Sequence, residues 1–216
     1  MLTNLANFFG GTRLLPVVEI DAAEDAPALA AALARAGIRV IEITLRTDAA
    51  LVAVERILER EDVIVGLGSL LEADQFRYAR QVGARFVASP GLNLDLLSVA
   101  EVEKMPYLPG VYSASEIMQA RDLECRFIKF FPAYTSGRLS HFSQLTPIFK
   151  DLRFCLTGGI DASNLAEALA LPHVEAVGGS WLAPRKLIKE KNWEAIEATA
   201  KEAMKIAGAE RAEAAA

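Results

Sequence analysis

A single-domain α/β fold, an eight-stranded (β/α)8 barrel, is what this 216-residue sequence predicts. Three observations predict it. Eight short apolar runs rich in β-branched and aromatic residues alternate with alanine- and charge-rich helical stretches. No Gly-x-Gly-x-x-Gly fingerprint follows the first run, as it would in a doubly wound dinucleotide-binding sheet. The unusual polar and glycine-rich segments fall at the ends of the runs, where barrels of this kind gather their chemistry.

Taken in order, the first strand covers residues 14–20, followed by a helix over 26–36 with Asp21 and Glu24 at capping-box spacing and Gly37 as its C-terminal cap. The second strand spans 40–44 and leads to a helix over 49–60. The third spans 63–68, and its helix over 73–82 is closed by Gly83. Strands follow at 86–89, 107–111, 127–131, 154–157 and 176–179, with helices over 114–121 and 164–171 and a closing helix over 193–206. Residues before Arg13 are expected to pack as a short helical extension over the barrel end, and residues 209–216 to fray. No Pro/Gly/Ser-rich linker divides the chain, so one domain over 1–216 is expected, with the barrel at about 14–205.

Composition narrows the function classes. At 52% hydrophobic and 24% charged, the chain supports a substantial core. A net charge of −5 argues against sequence-independent nucleic-acid binding, which needs a basic face. No apolar run approaches the length of a membrane span, and the start lacks the pattern of a secretory signal. Cys125 and Cys155 sit inside apparent strands and read as small core residues or inert thiols in a reducing cytoplasm rather than a disulfide framework. His141 and His173 have no neighbours at metal-ligand spacing, so no metal site is expected of them.

Lys129 is the one charge in the sixth strand, within Phe127-Ile128-Lys129-Phe130-Phe131. Alternation puts Phe127, Lys129 and Phe131 on one face. Burying an ammonium favours the neutral amine, and a neutral amine attacks ketones to form a Schiff base. A lysine snorkelling from a half-exposed strand is the plainer alternative. In the second strand the same alternation places Glu42, Thr44 and Arg46 on one face, with Ile41, Ile43 and Leu45 toward the helices. Strands two and six are both even-numbered and feed the same interior layers, so Glu42 and Lys129 are expected to meet. The pair is then either a structural ion pair or a nucleophile served by a carboxylate acid/base. Strands three and four end in Gly66-Leu67-Gly68-Ser69 and Ser89-Pro90-Gly91. Strands seven and eight end in Thr157-Gly158-Gly159-Ile160 and Gly178-Gly179-Ser180-Trp181. Glycines after strands seven and eight suit a phosphate held by backbone N–H groups, although tight turns need glycine too.

Together with Pro109-Gly110-Val111 and Lys129-Phe130-Phe131-Pro132-Ala133, these segments resemble, in colinear order over about residues 14–205, the 2-keto-3-deoxy-6-phosphogluconate (KDPG) and 4-hydroxy-2-oxoglutarate (KHG) aldolases. The resemblance implies a TIM barrel assembled as a homotrimer, a cytoplasmic class I lyase of the Entner–Doudoroff route with no metal or other cofactor. It implies reversible cleavage of KDPG to pyruvate and glyceraldehyde 3-phosphate. Lys129 would carry the imine and Glu42 the protons. Arg46 and Ser69 would hold the pyruvyl carboxylate, Pro90, Phe131 and Thr157 would line the pocket, and Gly158, Gly159, Gly179 and Ser180 would cradle the phosphate. KHG, oxaloacetate or the galacto epimer would use the same mechanism. A phosphate-binding isomerase or synthase barrel would share the glycine pairs but has no need of Lys129. Glu19, where some relatives carry a basic residue, and the altered loop at 134–137 bear on substrate choice.

Overall fold

The structure, a computed structural model, describes Phe9 and residues 12–134 and 139–214, with 209–214 as backbone. Its strands are β1 (Leu14–Val18), β2 (Val40–Thr44), β3 (Ile64–Gly68), β4 (Val87–Ala88), β5 in two pieces (Tyr107–Leu108 and Gly110–Val111), β6 (Phe127–Phe130), β7 (Arg153–Thr157) and β8 (Val174–Gly179). All recorded pairings are parallel, and β1 pairs with both β2 and β8. The sheet order begins with the first piece of β5 and ends with the second. The two edges are thus parts of one strand interrupted at Pro109. A proline has no N–H to give the ladder, but its carbonyl still accepts from Lys129 N at 2.9 Å, carrying the ladder past the break. The result is the expected eight-unit barrel.

Helices α1 (Ala26–Arg35), α2 (Ala50–Leu58), α3 (Ala73–Gln81), α5 (Ala114–Asp122) and α7 (Leu165–Ala170) match the five expected between strands. Also present are α4 (Leu94–Val102), α6 (Ser140–Leu145) and the short α8 (Arg185–Lys189). The closing helix α9 (Trp193–Ala214) packs against α1 and α7. Its backbone stays helical beyond Ile206, through most of the stretch expected to fray.

One local expectation is overturned. Asp21 and Glu24 do not form a capping box on α1: a 3-10 turn, Ala23–Asp25, intervenes, and Asp25 occupies the cap without a side-chain bond. Asp21 instead pairs with Arg185 and Lys189, because two cations outcompete a backbone donor for a carboxylate. Capping boxes do form at Glu72–Gln75 and Ser113–Glu116. Gly37 and Gly83 adopt φ of 92° and 84°, the left-handed backbone expected of them.

The sheet separates two apolar clusters. Outward residues such as Ile41, Ile43, Ile128 and Phe130 pack with the helices. Inward residues, among them Leu15, Val40, Phe86, Phe127 and Cys155, fill the lumen. Phe9 joins this inner cluster edge-to-face with Phe127, ring centroids 5.8 Å apart. Residues 1–8, 10 and 11 of the expected N-terminal extension lie outside the described residues.

Candidate active site

Strand alternation delivers Lys129 and Glu42 into the lumen. Lys129 is 5% exposed and Glu42 0%, and Lys129 Nζ donates to Glu42 Oε1 at 3.2 Å. The register shows how there is room for both. Glu42 stands between Val17 and Gly66, and Lys129 between Gly110 and Cys155. A Cβ on Gly68 would fall 2.0 Å from Glu42 Oε1, and one on Gly110 2.3 Å from the Pro90 carbonyl. Glu42 Oε2 has no hydrogen-bond partner among the described residues. Burying two charges is costly even when they pair, so a fold with no use for them gains more from apolar replacements.

Above the pair opens a cavity of about 560 Å³, lined at the C-terminal ends of the strands. Ten of the eleven site residues expected from sequence converge on it or its wall: Lys129, Arg46, Ser69, Pro90, Phe131, Thr157, Gly158, Gly159, Gly179 and Ser180. Glu42 lies behind Lys129 rather than on the wall, so it reaches a ligand only through the amine or a bridging water.

Several lining residues are held by their neighbours. Arg46 Nε donates to Ser69 Oγ at 3.2 Å. Ser69 itself has a φ of 63°, a left-handed conformation that costs a non-glycine residue energy and is concentrated at functional sites. The Phe131 ring faces Lys129 Nζ with its centroid 5.6 Å away. Ser89 Oγ donates to the Gly91 carbonyl at 2.7 Å and lies 2.6 Å from Tyr107 Oη, bracing the turn that carries Pro90. Burial pushes the Tyr107 hydroxyl up to about 12, so it stays a protonated donor.

The glycine pairs serve packing as well as any ligand. Gly158 and Gly159 have φ of 95° and 75°, and a Cβ on Gly159 would meet the Tyr134 carbonyl at 2.4 Å. A Cβ on Gly179 would strike the Trp181 ring at 1.9 Å. Residues 135–137 of the altered loop lie outside the described residues. Among those described, no group of three or more His, Cys, Asp or Glu side chains is placed to hold a metal ion.

Sequence reasoning missed Arg185. It lies at the start of α8, five residues after Ser180, and reaches the cavity rim, where it pairs with both Glu19 and Asp21. Its position after the eighth strand was the available signal, since loops there face the chemistry. Glu19 faces the cavity too, with its other oxygen 3.8 Å from Arg46 Nη1.

A family model described as the KDPG and KHG aldolases matches residues 6–199. The 2-dehydro-3-deoxy-phosphogluconate aldolase of Pseudomonas aeruginosa is 42% identical over 193 residues, 89% of this chain and 88% of that one. Among solved structures, the KDPG aldolase of Legionella pneumophila, with pyruvate captured as a covalent carbinolamine, is 37% identical with a TM-score of 0.89. It covers 94% of this chain and 100% of its own. The KDPG aldolase of Zymomonas mobilis ZM4, with 3-phosphoglycerate, is 35% identical with a TM-score of 0.89, covering 94% and 96%. Matching nearly end to end in sequence and in fold, with a lysine and a carboxylate buried together beneath the cavity, this chain belongs to the KDPG and KHG aldolase family.

Proposed function

We propose that this lyase reversibly cleaves KDPG to pyruvate and glyceraldehyde 3-phosphate through a Schiff base on Lys129. The observation that carries the proposal is the buried amine at the cavity floor, 3.2 Å from a carboxylate with one oxygen uncommitted. The neutral amine adds to the C2 ketone to give a carbinolamine, and loss of water gives the protonated imine. Glu42, through a water, takes the proton of the C4 hydroxyl. The C3–C4 bond breaks, its electron pair moves into the imine, and the aldehyde leaves. The enamine then takes a proton back at C3, and water returns pyruvate and the free amine. The imine supplies the electron sink, while Glu42 supplies the acid/base step.

Arg46 offers a planar fork to the pyruvyl carboxylate, with Ser69 beside it. Gly158, Gly159, Gly179 and Ser180 line the same cavity and suit the phosphate. Two solved relatives were captured with ligands of these kinds, one with pyruvate as a covalent carbinolamine and the other with 3-phosphoglycerate. We also propose a homotrimer working in the cytoplasm. Exposed Leu71, Leu94 and Met118 offer apolar surface for an assembly. Two free buried cysteines suit a reducing compartment.

Borohydride reduction with pyruvate, followed by peptide mass analysis, tests the chemistry. A pyruvyl adduct on Lys129 is expected, absent in Lys129→Ala, with turnover in that variant lost by orders of magnitude. Glu42→Gln should lower kcat by roughly 10²–10⁴-fold while still trapping the adduct. A folded protein with no adduct would end the Schiff-base reading.

A further inference from the structure

We infer that Glu19 is a specificity-determining residue: a fixed anion at the cavity rim that weakens selection for aldehydes with an anionic tail over those with a neutral, hydroxylated one. The inference rests on the aldolase reading above and concerns the half of the substrate farthest from Lys129.

The geometry has three parts. Glu19 is at the end of β1 and lines the cavity, so its charge faces whatever occupies the outer half. One of its oxygens pairs with Arg185 and the other lies 3.8 Å from Arg46. Arg185 is itself fixed from behind: Nε donates to Asp21 Oδ2 at 2.8 Å and Nη2 to Asp21 Oδ1, leaving Nη1 for Glu19. The Asp21 and Glu19 charges hold the Arg185 guanidinium above its ordinary range, so it remains a cation throughout.

The charges around the cavity then nearly balance. Arg46, Arg185 and Lys129 line it with Glu19 and Asp161, and Glu42 lies behind. A phosphate arriving beside Gly179 and Ser180 gains from Arg185 only to the extent that it displaces Glu19, and it is repelled by the carboxylate it displaces. A neutral aldehyde with free hydroxyls meets no such competition, and the same carboxylate can accept its hydroxyl hydrogens. Discrimination by like charge placed against one ligand class is an ordinary route to specificity.

The test is kcat/KM for condensing pyruvate with glyceraldehyde 3-phosphate and, separately, with glyceraldehyde, in wild type, Glu19→Gln and Arg185→Gln. Expected is a roughly three- to tenfold rise in the phosphorylated-to-neutral ratio for Glu19→Gln, as for a partly exposed charge contact. A comparable fall is expected for Arg185→Gln, where Glu19 loses its counter-charge. KM for pyruvate should stay within about twofold in both variants. An unchanged or reduced ratio in Glu19→Gln overturns the inference. So does an equal loss with both aldehydes together with a raised KM for pyruvate, since Glu19 would then only position Arg46. If wild type forms no pyruvyl adduct on Lys129, the aldolase reading fails and takes this inference with it; an active wild type with an unaltered ratio removes the role of Glu19 alone.

Discussion

At Gly68 an added methyl group would meet Glu42 Oε1 at 2.0 Å, so the carboxylate beside Lys129 occupies space that a glycine leaves open. Gly68→Ala is therefore a probe of proton transfer that removes no charged group. It should push Glu42 away from Lys129 and lower kcat by about a hundredfold, the usual effect of misplacing a reacting group by an ångström. Single-turnover trapping of pyruvate checks it: the adduct on Lys129 should still form, only more slowly. Little of this constraint is visible in the sequence, where Gly66-Leu67-Gly68 passes for a turn ending a strand. The charge pair itself was legible, because period-two alternation and the layering of even-numbered strands put Glu42 and Lys129 in one lumen. Arg185 left only a weak trace: its place after the eighth strand points toward the site, but an arginine opening a surface helix otherwise looks like a solvated one.

Among the elements, β5 shows how a short strand carries function indirectly. Tyr107 opens it, and its hydroxyl meets Ser89 Oγ at 2.6 Å, which in turn donates to the Gly91 carbonyl. The chain of donors runs from one strand to the turn after β4 and fixes Pro90 on the cavity wall. Tyr107→Phe leaves the ring buried against Phe76 but removes the first donor. The expected cost is about 1–2 kcal/mol of stability, with KM for pyruvate raised more than kcat is lowered. Urea denaturation and steady-state kinetics check the two halves. The absence of a capping box at Asp21 was hidden from local pattern, since it is decided by Arg185 and Lys189, distant in sequence; the division of β5 had a local signal in Pro109, which has no N–H for the ladder. Helix α4, one of the eight units but without bounds from the pattern, has apolar residues that do not keep to one face, and Leu94 and Val102 are exposed. Its Asn93 cap, accepting from Asp95 N and Leu96 N, was the signal that remained.

For the molecule as a whole, Asp21 ties the end of β1 to α8 through Arg185 and Lys189. The Arg185 hydrogen bonds hold its carboxyl down to about 2. Its value in the folded state lies below that of the unfolded chain, so its contribution is complete above about pH 4 and is lost as pH falls through about 2. Asp21→Asn should lower the melting temperature at neutral pH, and the gap from wild type should close as the scans approach pH 2. The barrel also has a direction along its axis. Its base is plugged by Phe9, Phe86 and Phe127, while its upper rim is built from glycines at the ends of β3 and β8. The lumen is consequently a funnel, wide where reactants enter and blocked where they stop. Trimming an aromatic at the base opens a void that loosens the floor under Lys129, whereas adding bulk at the rim closes the entrance. Depth in the funnel, more than the strand a residue belongs to, sets whether a lumen position tolerates a smaller side chain or a larger one.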